Sequence, residues 1–255
     1  AAGARFMSST TPASVAVRRL RSPVTWLSAG ATLGGLYGLY EYQKWRQMTK
    51  QRQTGRPDLG GDFILEDCDG KPVTNQDLMG KWTLLYYGFT KCPDICPDEM
   101  AKVTTVLHKL EAKGVAVQPV FITIDPDRDT KERLVHYFKE NLFHAKFLPL
   151  TGSHPQVKKA CRAYRVYYSR PTDAEVKAGD YLLDHSIISY LLDPEGEFVD
   201  YFGKSLKVDE MEERMHQQIT DWERERWWEE NAPSFLQGPA GPPRIRKCTP
   251  PSAAA

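Results

Sequence analysis

Two cysteines separated by three residues, Cys92 and Cys96, are the residues of this sequence best placed to do chemistry. They follow a short apolar run that ends at Phe89 and precede a predicted helix over 98–113. Unpaired backbone N–H groups and the helix dipole at the start of a helix favour the thiolate over the thiol. Residues four apart also share one face of a helix, so both sulfurs are expected to point at one spot.

Three interpretations of this pair stay open on spacing alone. The two cysteines could be buried structural residues or form an inert local disulfide. They could exchange disulfides as Cys-x-x-Cys motifs do, although this pair has one residue too many for that motif. Two soft thiolates could also bind Cu(I), zinc or an iron–sulfur cluster. The position between a strand and a helix argues against the structural interpretation and does not separate the other two.

The elements around the cysteines alternate between strands and helices. Apolar runs of strand length at 82–89 and 117–124 fit strands buried on both faces. Asp129 followed by Glu132 predicts the capped start of a helix. Further along the chain the pattern predicts strands at 181–183, 187–192 and 198–201 and a long helix from Val208 to about Asn231. Together these elements predict an α/β, thioredoxin-like sandwich.

A third metal ligand is predicted at His185, just before the strand at 187–192. This part of a thioredoxin-like fold faces the cysteine loop, and redox thioredoxins usually place a cis-proline there. One imidazole and two thiolates make a three-coordinate site that suits Cu(I) and adapts to Cu(II). Zinc would require a fourth ligand, and the sequence offers none. The metal interpretation at Cys92, Cys96 and His185 is therefore favoured over the redox one.

The remaining cysteines and histidines carry weaker signals. Cys161 is predicted to be a core residue and Cys68 an exposed hairpin residue. The other histidines show no ligand-like spacing and are predicted to be surface or packing residues: His108, His136, His144, His154 and His216. A formal net charge of +1 without basic blocks excludes a nucleic-acid partner, and five cysteines are too few for a disulfide scaffold.

The segments outside the domain, which is predicted over 61–231, differ in composition. Residues 1–21 are basic and free of acidic residues, as in a mitochondrial transit peptide. Residues 22–40 carry no charge and have the length of a transmembrane helix, with glycines spaced to allow a homodimer. Residues 41–60 are predicted to be a tether. Residues 232–255 form a Pro/Gly-rich tail predicted to be disordered.

Four motifs, in this order along the chain, resemble the SCO family of mitochondrial copper-binding cytochrome c oxidase assembly proteins: Tyr87–Pro97, Ile124–Thr130, Tyr164–Tyr168 and Asp184–Ser186. The resemblance covers about residues 60–215. This chain departs from it in a longer last helix and in the added tail with Cys248.

The resemblance implies a single-pass protein of the mitochondrial inner membrane, with its thioredoxin-like domain in the intermembrane space. It implies a copper chaperone for the binuclear copper (CuA) site of cytochrome c oxidase subunit 2, with copper ligands at Cys92, Cys96 and His185. An upstream copper donor and other oxidase assembly factors are further implied partners. The alternative is a thiol–disulfide oxidoreductase that reduces the subunit's cysteines through a redox disulfide of Cys92 and Cys96. No catalysis beyond such exchange is expected.

Overall fold

The computed structural model describes residues 23–53, 59–169, 172–178 and 181–231. The predicted leader at 1–21 and the predicted tail at 232–255, with Cys248, lie outside the described residues.

The first of two compact units, Ala1–Arg56, contains one described helix, α1 (Pro23–Gln53). This helix includes nearly all of the predicted membrane span at 22–40. None of the helices in the described part of the chain is both long and apolar enough to cross a membrane. The span was predicted from the absence of charge, but the glycines and hydroxyl side chains of this stretch add little apolar surface. The helix also continues into the predicted tether at 41–60, and the predicted homodimer stays a prediction.

The second unit, Pro57–Ala255, contains a mixed seven-stranded sheet in the order β2-β1-β5-β4-β3-β6-β7. Its strands are β1 (Ile64–Asp67), β2 (Pro72–Thr74), β3 (Trp82–Gly88), β4 (Val117–Thr123), β5 (Leu148–Thr151), β6 (Ile188–Leu192) and β7 (Phe198–Gly203). Its helices are α2 (Ile95–Ala112), α3 (Lys131–Glu140), α4 (His154–Ala163), α5 (Asp173–Ala178) and α6 (Val208–Asn231).

The centre of the sheet is parallel, and this places two loops beside each other. Strand β4 pairs in parallel with β3 and β5, whereas the other strand pairs are antiparallel. Gly88 lies opposite Thr123 in the β3–β4 register, and the Ile124 N–H donates to the Gly88 carbonyl at 2.9 Å. The loops after β3 and β4 therefore leave the same edge of the sheet, where sites in open α/β sheets are commonly found.

Strand β3 is buried along its whole length, because both faces of the sheet are covered. Successive side chains alternate between the faces. Leu85 and Tyr87 belong to one apolar cluster, which includes residues of α4. Leu84 and Tyr86 belong to another, which includes the apolar side of α2 and part of α6. The predicted sandwich thus has a core on each face of the sheet.

Helix α2 begins at Ile95, earlier than the predicted start at residue 98, with Asp94 as its N-cap residue. Cys96 therefore lies in the first helical turn, whereas Cys92 precedes the helix. The prediction that the two cysteines share one helical face is wrong, because only one of them is helical.

Two local predictions also fail. Helix α3 is capped by Thr130, whose hydroxyl accepts a hydrogen bond from the Arg133 N–H, and not by Asp129. Residues 181–183, predicted as a strand, form no regular element. In both places side-chain contacts near the functional site replace the expected local structure.

Candidate metal centre

The Cys96 sulfur is packed against the end of β3. Cys96 is fully buried, and the Tyr86 hydroxyl lies 3.6 Å from its Sγ and donates to it. A Cβ atom added to Gly88 would lie 2.8 Å from the same sulfur. Only glycine permits this approach, so the last residue of β3 helps to determine where the sulfur sits. Nothing in the residue pattern around Gly88 indicates this role.

Cys92 lies in the turn that joins β3 to α2 and is half-buried. Its N–H donates to the Phe89 carbonyl at 3.3 Å, which closes the turn. All four cysteines in the described residues are free, with no disulfide among them. The redox disulfide of Cys92 and Cys96 stays a prediction.

His185 faces the cysteines from the segment that precedes β6. It forms an isolated antiparallel bridge with Tyr168, and its ring packs edge-to-face on Phe89 with the centroids 5.6 Å apart. Its Nδ1 lies 3.1 Å from the Ser186 carbonyl oxygen. That oxygen only accepts, so Nδ1 carries the ring proton and Nε2 presents a lone pair. Nε2 lies 3.4 Å from the Cys96 sulfur.

The ligand atoms of Cys92, Cys96 and His185 lie within 4.8 Å of one another. No other histidine, cysteine or carboxylate of the described residues joins this group. Two thiolates and one imidazole are soft donors that suit Cu(I).

The two thiols are coupled through one hydrogen bond. Donation from Cys96 lowers the pKa of Cys92 well below its usual range, against the effect of partial burial. Hydrogen bonds from the backbone N–H groups of Cys96 and Ile95 lower the pKa of Cys92 further. The same hydrogen bond and burial raise the pKa of Cys96. These effects favour the thiolate at Cys92 and the thiol at Cys96.

A buried carboxylate, Asp129, fixes the loop that leads to the cysteines. It accepts hydrogen bonds from the Thr90 N–H at 3.0 Å, the Thr90 hydroxyl at 2.6 Å and the Thr123 hydroxyl at 2.6 Å. Burial raises the pKa of Asp129, and these three hydrogen bonds oppose that rise. The carboxylate thus ties the loop after β3 to the end of β4. This role replaces the helix capping predicted for it.

Arg128 holds the irregular segment that leads to His185. It donates from Nε to Asp125 at 2.6 Å and from Nη1 to the Tyr181 carbonyl at 2.8 Å. Its guanidinium also stacks 3.5 Å from the centre of the Tyr181 ring, whose hydroxyl donates to Asp125 at 2.7 Å. These contacts, and not a strand ladder, hold residues 181–183 in place. The residue pattern alone indicates no such role for the arginine.

The predictions for the remaining cysteines and histidines have different outcomes. Cys161 is buried in the core, as predicted, and Cys68 is half-buried where exposure was predicted. His108 and His144 converge with Glu111 into a second group of possible metal ligands. His108 is exposed and His144 is buried, as expected of surface and packing residues, but the prediction missed their convergence with Glu111. His108 and Glu111 are three apart on α2, but only the tertiary fold brings His144 to them.

The fold and the site together define a thioredoxin-like protein with two thiols and an imidazole facing one another. The SCO1/SenC family model matches residues 51–220. The chain belongs to the SCO1/SenC family, as its motifs predict.

Relatives and solved structures agree with this assignment. The chain is 43% identical over 216 residues to "Protein SCO1 homolog 1, mitochondrial" of Arabidopsis thaliana, a match that covers 79% of this chain and 63% of that protein's length. The crystal structure of yeast Sco1 with copper bound is 46% identical, covers 64% of this chain and 90% of its own, and has a TM-score of 0.61. The crystal structure of Arabidopsis thaliana ScoI with copper bound is 48% identical to this chain and has a TM-score of 0.59. The match covers 64% of this chain and 98% of the ScoI chain. These similarities confirm the predicted thioredoxin-like fold.

Proposed function

We propose that this protein is a copper chaperone for the CuA site of cytochrome c oxidase subunit 2 and carries its copper on Cys92, Cys96 and His185. The observation that carries the proposal is the convergence of two thiols and an imidazole Nε2 lone pair within 4.8 Å. Copper in the solved structures of two relatives supports the choice of metal. The family resemblance supports the oxidase as the destination.

The site binds its cargo with few rearrangements. Cys92 is already a thiolate, so the incoming Cu(I) displaces only the proton of the Cys96 thiol. His185 needs no tautomer change, because its Nδ1 proton is engaged with the Ser186 carbonyl. Cys96 is buried, whereas Cys92 and His185 are half-buried, so a recipient thiol reaches the ion from the side of these two ligands.

The test replaces one ligand and measures copper binding. His185→Ala in the reduced full chain is expected to weaken Cu(I) binding by about 100-fold in competition with a chelator. It should also change the sulfur-to-copper absorption of the Cu(II) form. His136→Ala is the matched control, because His136 is exposed and pairs only with Glu140 within its own helix. Unchanged Cu(I) affinity and Cu(II) spectra in His185→Ala would exclude the three-ligand site.

A second function is favoured by one observation, the half-exposed thiolate of Cys92 beside a thiol. In this reaction the Cys92 thiolate attacks a disulfide of the recipient and one recipient thiolate leaves. Cys96 transfers its proton to that thiolate and attacks the Cys92 sulfur, which releases the second recipient thiolate. The recipient gains two electrons, and Cys92 and Cys96 become a disulfide. An oxidised pair binds no copper, so the two functions exclude each other at any one moment.

The same His185→Ala variant separates the two functions. If reduction is the main function, His185→Ala is expected to keep both disulfide exchange with a peptide carrying the subunit 2 cysteines and assembly of the CuA site. A chaperone is expected to lose copper transfer to that peptide while its thiols stay reactive. Loss of exchange with retained copper transfer would contradict both expectations.

We place the protein at the mitochondrial inner membrane with this domain in the intermembrane space, where it would receive copper from an upstream donor and meet other oxidase assembly factors. The basic, acid-free leader and the mitochondrial name of the Arabidopsis relative support this location. In intact mitochondria the domain should resist added protease, and rupture of the outer membrane should expose it. Resistance after rupture would place the domain in the matrix instead.

A further inference from the structure

A second cluster of metal-ligating side chains lies at the other end of α2. His108 and Glu111 are three residues apart on this helix and share a face. His144 approaches them from the loop between α3 and β5. The ligand atoms of the three side chains lie within 4.8 Å of one another.

The position of His144 is fixed by packing. Its side chain is only 5% exposed, and its backbone N–H donates to the Thr104 hydroxyl at 3.1 Å. Its ring lies 4.7 Å from the ring of His108, centroid to centroid. The group therefore combines a rigid ligand from the loop with two ligands from a regular helix.

The distances fit a tetrahedral ion. Ligand atoms about 2.1 Å from a zinc ion at tetrahedral angles are about 3.4 Å apart. The Glu111 carboxylate oxygen Oε2 lies 3.2 Å from His144 Nε2 and 4.0 Å from His108 Nδ1. A depression of about 440 Å³, lined in part by Glu111, Val115 and His144, leaves room for water on the open side of an ion.

We propose that His108, Glu111 and His144 form a second metal site, for a divalent ion of the Zn²⁺ class. Two imidazoles and a carboxylate suit Zn²⁺ and Cu²⁺, whereas Cu(I) prefers the thiolates of the other site. A water molecule completes the coordination, as in zinc sites with three protein ligands.

Lys146 competes with the ion in two ways. Its ammonium pairs with Glu111. Its backbone N–H lies 3.3 Å from His144 Nδ1 and donates to it, so the ring proton of His144 sits on Nε2. An ion that binds through His144 Nε2 moves this proton to Nδ1, so the hydrogen bond from the Lys146 N–H is lost. An ion bound to Glu111 also displaces the Lys146 ammonium. The Lys146 side chain is 55% exposed, so water can solvate its ammonium once the ion pair with Glu111 is broken.

The experiment titrates Zn²⁺ into the full chain carrying Cys92→Ser and Cys96→Ser, which removes the two thiolates of the first site. One Zn²⁺ per chain is expected at the second site. Adding His108→Ala should weaken this binding at least about tenfold. Adding His136→Ala should not change it, because His136 and Glu140 lack a third ligand in the described structure.

Lys146→Ala tests the competition and is expected to tighten Zn²⁺ binding several-fold. If the contacts of Glu111 with Lys146 and the two histidines have only a structural role, none of these variants will bind zinc. The titration is repeated on the chain with its cysteines intact, where the imidazole NMR signals of His108 and His144 report on this site alone. The proposal fails if those signals do not move with Zn²⁺, or if His108→Ala binds zinc as tightly as its parent.

Discussion

The two ends of α2 each contribute to a three-ligand group, but with opposite kinds of donor. The first turn supplies the Cys96 sulfur, and the last turn supplies the Glu111 carboxylate. The unpaired N–H groups at the helix start stabilise a thiolate, and the carbonyl groups at its end favour a cation nearby. One helix can therefore support Cu(I) binding by thiolates at one end and binding of a divalent ion by imidazole and carboxylate at the other.

The two groups also differ in how ready they are to bind an ion. His185 donates from Nδ1 to a carbonyl and presents the lone pair of Nε2. His144 accepts at Nδ1 from the Lys146 N–H and so carries its proton on Nε2, where an ion would bind. Three donor atoms at suitable distances are thus not sufficient for an ion to bind without a rearrangement. The hydrogen bond on the far side of the imidazole decides whether binding costs a rearrangement.

The largest expected effect distinguishes the metal-binding groups at the two ends of α2. Replacing Cys92 and Cys96 by serine should weaken Cu(I) binding at least about 1,000-fold, because hydroxyl oxygens are poor Cu(I) donors. Zn²⁺ binding at the other end should change by less than about twofold, because distant sites act independently. Both affinities are measured by competition with chelators. A parallel loss of zinc binding would mean that the two groups are not separate sites.

The second effect concerns the thiolate at the helix start. Because the pKa of Cys92 is lowered, this thiol stays ionised when the pH falls from 8 to 6, and its alkylation rate should stay nearly constant. Burial and the nearby Asp67 and Asp69 raise the pKa of Cys68. The Cys68 rate should fall about tenfold per pH unit, so that the ratio of the Cys92 rate to the Cys68 rate rises about 100-fold between pH 8 and pH 6. Mass spectrometry of the alkylated peptides measures both rates. If the alkylation rate of Cys92 also fell tenfold per pH unit, Cys92 would not be a thiolate in this pH range.

A third effect tests how closely β3 positions the sulfur. Gly88→Ala places a Cβ atom 2.8 Å from the Cys96 sulfur and should lower the free energy of unfolding by about 1–3 kcal/mol. Cu(I) binding should weaken about tenfold because the sulfur is displaced. Gly203→Ala is the control, since an added Cβ there meets nothing within 4 Å. Urea unfolding and Cu(I) competition give the two values, and equal effects of both variants would contradict the close approach.

The smallest effect concerns the support of His185. Arg128→Lys keeps the charge but loses the planar set of donors that joins Asp125 to the Tyr181 carbonyl, so Cu(I) binding should weaken about threefold. The control is Arg214→Lys, because Arg214 also pairs with a buried carboxylate, away from the copper ligands. The chemical shift of the His185 Nδ1 proton should change only in the Arg128 variant. If both variants weaken copper binding equally, Arg128 has no specific positioning role.

The sequence was sufficient for features that repeat along the chain or fall within short motifs. The buried run at 82–89 indicated the central strand, and its position before Cys92 and Cys96 indicated where the thiols lie. The meeting of these cysteines with His185 followed from the thioredoxin-like order of strands and helices. The structure brings the three together as expected.

Features that depend on side-chain packing across the fold could not be read from the sequence. Gly88 matters because of a sulfur from the next helix, and Asp129 binds one threonine in the loop after β3 and one at the end of β4. An Asp before a helix looks like a cap whether or not it serves as one. His144 reaches Glu111 only because the loop before β5 folds back against α2. Spacing along the chain carries no information about such contacts.

The length of α2 has a consequence for how the two ions would be taken up. Cys96 and Glu111 are separated along the helix by about 22 Å at 1.5 Å per residue. At physiological salt, charges separated by more than about 8 Å are largely screened from each other. An ion at one end therefore does not repel an ion at the other, and the two would be acquired without cooperativity. Copper could leave for its recipient while the affinity for zinc stays the same.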